Sequence, residues 1–197
     1  MQYLIIIIAL FVLELLYFKI ADKYNIIDKP NERSSHTQIT LRGGGVIFYI
    51  GALLYFLVSG FEYPYFFLGL TLITLISFLD DILTLSNKLR LLIQLVSMIL
   101  MFYQVGMFEM AWWIVPIALI VSVGTINAYN FMDGINGITV SNSLAVLVLL
   151  AIANQNTPFI NSEFLYYIIL SVIVFGFFNF RNKAKAFAGD VGSVAIA

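Results

Sequence analysis

An all-α fold, a polytopic bundle of transmembrane helices, is what this sequence predicts, on three observations. Hydrophobic residues fill 61% of the 197 positions and charged residues only 11%, whereas a soluble domain is about one quarter charged. The apolar runs are long and unbroken rather than alternating, which selects helices over the closed barrel that is the other way to span lipid. When those runs are threaded through a bilayer, every basic residue lands on the same side. The chain has no cysteine, so disulfides and thiolate metal sites are excluded. Its net charge of −1 says little about partners, and nucleic acid is not an expected one.

Measured against a span of roughly 20 residues, helices are predicted near 3–20, 44–60, 63–79, 90–107, 110–127, 138–154 and 163–179. That gives about seven spans, and an eighth begins at Val191. The first run lacks a basic start and a small-residue cleavage site, so it reads as a retained span rather than a signal peptide. Glu14 lies within it, and an acid at that depth is expected to face a neighbouring helix. The eighth run ends at Ala197 after a few residues, so residues 1–197 read as one membrane domain cut off at its C-terminal side.

The ten Lys and Arg residues are Lys19, Lys23, Lys29, Arg33, Arg42, Lys88, Arg90, Arg181, Lys183 and Lys185. The opposite loops carry Glu62, Glu109 and Glu163 and no base. The positive-inside rule therefore makes the basic side cytoplasmic and puts the N-terminus outside. Asp80 and Asp81 end the third span, Asp133 follows the fifth and Asp190 precedes the eighth. All four carboxylates are thus expected at the cytoplasmic face, whereas a transporter would place ionisable groups near mid-bilayer.

Four polar stretches interrupt the apolar pattern: DKPNERSSHTQITLRGGG (28–45), FLDD (78–81), NAYNFMDGING (127–137) and FAGDVGS (187–193). Each has a plain structural reading. Asp-Asp can end a helix in solvent, GDVGS can start one, and Gly43 to Gly45 can let helices approach. Asn-Gly and Asp-Gly suit turns. Together they describe a site for a phosphorylated substrate, because carboxylate and amide oxygens are hard ligands for Mg²⁺, with Mn²⁺ an acceptable substitute. A diphosphate would be repelled by four acids without a dication and bases such as Arg42, Lys88 and Arg90. His36 is the only histidine. A single histidine cannot make a histidine metal cluster.

The order and spacing of these stretches resemble the polyprenyl-phosphate N-acetylhexosamine-1-phosphate transferase family. The resemblance spans the whole chain, and the RSSH and RGGG wording is closer to the O-antigen and surface-polysaccharide branch than to the muramoyl-pentapeptide branch. Ile39 and Leu41 stand where prolines are common in the family, and Asn136 stands where many members carry a second Asp. The family's later histidine-rich cytoplasmic loop and its last spans are absent. The resemblance implies transfer of a sugar-1-phosphate from a UDP-N-acetylhexosamine to polyprenyl phosphate, releasing UMP, at the cytoplasmic face of the bacterial inner membrane. It further implies metal ligation by Asn130 and Asp190, with Asp80 and Asp81 holding metal or substrate and positioning the acceptor phosphate. Asp133 would orient substrate or act as a base. Substrate contacts would come from His36, Arg42, Asn127, Asn136 and Phe187, the last as a platform for uracil. The lipid bilayer is the remaining partner, and a homodimer is an allowed assembly.

Other membrane chemistries fit less well. An aromatic-type prenyltransferase would show two well-separated Asp-x-x-x-Asp-like signatures, and a CDP-alcohol phosphotransferase needs repeated aspartates where DGING has only Asp133. The non-enzymatic alternative is an inactive fragment serving as a membrane scaffold or transporter component.

Overall fold

The computed structural model describes residues 1–30 and 38–197. Among the described residues eight α-helices carry the fold: α1 Gln2–Lys23, α2 Val46–Val58, α3 Pro64–Leu83, α4 Asn87–Gln104, α5 Ile114–Met132, α6 Ile138–Asn156, α7 Ser162–Asn179 and α8 Gly189–Ile196. The all-helical membrane fold expected from the sequence is the one observed. Five of the helices, α1, α3, α5, α6 and α7, are long and apolar enough to cross a bilayer. The expected seventeen-residue span at 44–60 is shorter than predicted, because Gly43 to Gly45 precede the helix in a loop. α2 keeps 13 residues, about 20 Å at 1.5 Å per residue, against a hydrocarbon core of about 30 Å.

Local chemistry sets several helix ends. Pro64 opens α3, where its missing N–H costs nothing. Ser86 caps α4 by accepting from the Leu89 amide, and Asn161 caps α7 by accepting from the Glu163 amide at 3.0 Å. A feature not anticipated is a two-stranded antiparallel hairpin, β1 (Ile27–Asp28) and β2 (Thr40–Leu41), pairing Ile27 with Leu41 and Asp28 with Thr40.

α7 is the central helix, with 56% of its span buried against 11% for α5. Leu10, Phe18, Ile47, Phe48, Val172 and Phe175 form the core between α1, α2 and α7. Tyr3 lies edge-on to Tyr166 and Phe18 edge-on to Phe178, so α1 and α7 run parallel. Their shared N-terminal end is a polar cluster of its own. Tyr3 donates to Glu163 at 2.7 Å, Asn161 donates to Glu62 at 3.0 Å, and Tyr55 also donates to Glu62. The two ends of the bundle therefore differ in chemistry: tyrosines and glutamates at one, arginines and aspartates at the other.

Candidate active site

The site forms where two chain segments far apart in sequence are stitched together. Phe187 N–H donates to the Leu41 carbonyl at 2.9 Å, while the Gly44 and Gly45 amides donate to the Phe187 and Ala188 carbonyls at 2.9 and 3.1 Å. Beyond this seam α2 and α8 start side by side. A β-carbon on Gly45 would stand 2.4 Å from the Gly192 Cα, and one on Gly192 would stand equally close to the Gly45 Cα. Only glycine at both positions permits this approach, which brings the start of α8 against the RGGG loop.

α3 ends in the FLDD motif, and its two acids divide the work. Asp81, with a side-chain exposure of 0%, accepts from the Asp190 and Val191 amides at 2.9 and 3.0 Å. These are first-turn N–H groups of α8, which have no partner within the helix. The Asp81 carboxylate also receives the Arg42 Nε at 2.6 Å. Asp80 pairs with Arg90 of α4 and accepts from the Leu85 amide. Asp190 joins the two halves, receiving Arg42 at 3.0 Å and Arg90 at 3.3 Å.

The NAYNFMDGING stretch is not one loop, as the predicted end of the fifth helix at 127 would have made it. α5 continues to Met132, Asp133 is its C-cap, and the turn occupies only the residues that follow. The helical extension turns the polar residues towards neighbouring elements. Asn127 donates to Gln94 of α4 at 3.1 Å, and Asn130 accepts from the Ser193 hydroxyl of α8 at 2.9 Å. Asp133 accepts from the Thr139 hydroxyl and from the Gly189 amide, both at 2.9 Å. Asn136 donates to the Arg181 carbonyl at 2.7 Å.

Of the residues assigned from sequence, Arg42, Asp80, Asp81 and Asp190 are joined by ion pairs that include Arg90, while Asp133 joins them through the Gly189 amide and Asn130 through Ser193. Asn127 and Asn136 bond to the surrounding scaffold. Phe187 has an exposure of 3%, so a stacked base would have to displace its present neighbours. His36 lies outside the described residues. Sequence reasoning missed Thr139, Ser193 and Gln94, although Ser193 sits inside one of the quoted motifs.

Among the described residues the cluster formally holds four carboxylates, Asp80, Asp81, Asp133 and Asp190, against two guanidiniums, Arg42 and Arg90. Burial pushes the Asp133 carboxyl up to about 6, against the opposing pull of its hydrogen bonds from Thr139 and Gly189. The nearby Asp190 adds to the rise and Arg42 opposes it. A cavity of about 10 Å³ is lined by Asp80, Asn130, Asp190, Ser77 and Gln94 with Arg90 at its wall. Among the described residues no group of three or more acids, histidines or cysteines could hold a metal ion. The oxygen donors lining the cavity, Asp80, Asp190 and Asn130, are of the hard type that Mg²⁺ takes alongside water and phosphate.

Residues 63–197 match the family described as glycosyl transferase family 4. The chain is 30% identical over 196 residues to the "Probable undecaprenyl-phosphate N-acetylglucosaminyl 1-phosphate transferase" of Bacillus subtilis (strain 168), covering 89% of this chain and 54% of that protein. It is 28% identical over 198 residues to the undecaprenyl-phosphate alpha-N-acetylglucosaminyl 1-phosphate transferase of Yersinia pestis, covering 90% and 54%. It is 32% identical over 182 residues to the phospho-N-acetylmuramoyl-pentapeptide-transferase of Heliobacterium modesticaldum, covering 78% and 56%. The chain thus spans about half the length of these curated relatives.

Proposed function

The chain belongs to glycosyl transferase family 4, and from that membership we propose that it transfers N-acetylhexosamine-1-phosphate from a UDP-sugar to polyprenyl phosphate, releasing UMP, in cell-envelope glycan synthesis. The observation that carries the reading is the meeting of Asp80, Asp81, Asp133 and Asp190 around Arg42 and Arg90 at one end of the helical bundle. The names of the relatives support the acceptor and the sugar-phosphate class.

In the proposed reaction an oxygen of the lipid phosphate attacks the β-phosphorus of the UDP-sugar. The bond from that phosphorus to the bridging oxygen breaks, and UMP leaves with the oxygen and its electron pair. Arg42 and Arg90 hold positive charge where the diphosphate must sit. Asp133, held by two hydrogen bonds and raised to about 6, is matched to the second ionisation of a phosphate monoester near 6 and can accept its proton. Asp81 keeps the first turn of α8 in register with Arg42. A Mg²⁺ held by Asp190 and Asn130, with Asp80 beside them, would offset the two excess negative charges of the cluster and those of the diphosphate.

Radiolabelled UMP exchange into UDP-GlcNAc, in membranes carrying the full-length protein, tests the proposal. Metal-dependent exchange is expected; flux of intact UDP-sugar without exchange would instead mark a transporter. In the same assay Asp190→Asn is expected to raise the Mg²⁺ requirement, because an amide oxygen binds a hard cation less strongly than a carboxylate. Glu163→Gln removes an acid from the opposite end of the bundle, beside Tyr3, and is expected to leave the titration unchanged. Superimposable magnesium curves for the two variants would count against Asp190 as a ligand.

The basic end, and with it the acid cluster, is proposed to face the cytoplasm. A single cysteine at the exposed Lys88 should resist a membrane-impermeant thiol reagent in intact cells, while one at the exposed Thr157 should react. The reverse pattern would invert the topology.

A further inference from the structure

Glu14 is a buried acid for which the proposed reaction has no assigned use. It lies on α1 with 0% exposure, and neither carboxyl oxygen has a hydrogen-bond partner among the described residues. Native folds seldom leave such atoms unpaired, since the group has lost its water without compensation. Its Oε1 lies 3.2 Å from where a β-carbon on Gly44 would stand, a spot also walled by Ala186 and Phe175. One turn further along the same helical face, the Tyr17 hydroxyl donates to the Arg42 carbonyl at 2.7 Å. α1 therefore supports the glycine loop from behind at two points. From its front edge that loop extends Arg42 to Asp81 and Asp190, and its amides are sewn to residues 187–188.

We propose that Glu14 is a positioning residue for sugar-1-phosphate transfer, its carboxyl seating the loop at Gly44 so that Arg42 keeps its place against Asp81 and Asp190 as a diphosphate enters. The inference rests on the transferase reading. An apolar side chain of similar size would fill the same space without an orphan oxygen, so packing alone gives no reason for an acid here. A carboxyl oxygen facing the empty side-chain position of Gly44, in the loop that must present a fixed guanidinium, does give one. Glu14 acts through Gly44 and Arg42 and does not reach the reacting atoms itself.

Full-length protein supplies the test. Wild-type UMP exchange is measured first and establishes the transferase reading independently of Glu14; its absence would remove that reading and this inference with it. Glu14→Gln keeps the shape and a polar oxygen facing Gly44, and is expected to stay within about twofold of wild type in kcat and KM. Glu14→Leu is expected to raise KM for the UDP-sugar by about tenfold, with a Tm at or above wild type because the orphan oxygens are gone. Where the leucine variant fails to insert, Glu14→Met, unbranched and apolar, carries the same expectation. Unchanged kinetics in the apolar variant overturn the proposal. So do an equal loss in the glutamine variant, and a KM rise that comes only with a fallen Tm.

Discussion

Asp133→Asn in the full-length protein is expected to lower turnover by about a hundredfold, the lower end for loss of a general acid or base, while Tm stays within a few degrees of wild type. The geometry explains why the two effects separate. Asp133 makes one bond from the Gly189 amide and one from the Thr139 hydroxyl. An asparagine oxygen can keep the first, and its NH₂ can donate to the hydroxyl, which accepts as readily as it donates. The scaffold is therefore retained and only the titrating group is lost. Because the folded carboxyl titrates near 6, its base form dominates above that pH and is lost below it. The wild-type rate should fall on the acid side with an apparent value near 6, and the residual rate of the variant should keep only the limb that the acceptor phosphate's own ionisation sets. Initial rates from pH 5 to 8 beside detergent-solubilised melting curves make the measurement. An asparagine variant with normal turnover would reduce Asp133 to a helix cap.

Asp81→Ala is expected to do the opposite, lowering stability as well as activity. Its carboxylate is fully buried and serves three donors at once: Arg42 and the amides of Asp190 and Val191. Removing one partner of a buried pair costs about 3–5 kcal/mol, a Tm loss on the order of 10 °C for a chain of this size. Two amides at the start of α8 would also lose their acceptor. Hydrogen exchange at Asp190 and Val191 should accelerate more than exchange in α7, which Asp81 does not touch. Uniform acceleration along the chain would mean global loosening rather than release of α8.

Much of this arrangement is legible in the sequence, for a physical reason. Lipid requires every backbone group of a span to be satisfied locally, so unbroken apolar runs become helices and polar clusters mark their ends. The acids and Arg42 are legible too, because charge is scarce here and each charged residue near a span end needs a reason. What the sequence conceals is local polarity inside helices. Asn130 reads as a loop residue beyond the predicted helix end at Asn127, because asparagine favours turns, yet both lie within α5, bonded to Ser193 and Gln94. Nothing in composition distinguishes Thr139 from the other helix hydroxyls; only the fold brings it to Asp133. The β1–β2 hairpin is two residues per strand, too short for alternation to register. α2 starts later than its apolar run because Gly44 and Gly45 are spent on docking to residues 187–188.

The clasp between Asp81 and the first amides of α8 also constrains the order in which the protein can be built. Its two sides are 109 residues apart in the chain, so at a synthesis rate of about 5–20 residues per second Asp81 waits roughly 5–20 s for its last partners to be made. Arg42 has by then already left the ribosome, and it is the one partner of Asp81 available throughout that interval. Paired early, the guanidinium would neutralise the acid while the third helix settles into lipid, and the later amides would join a carboxylate already held in place. A nascent chain that loses Arg42 would carry an uncompensated charge at that helix end for the whole interval.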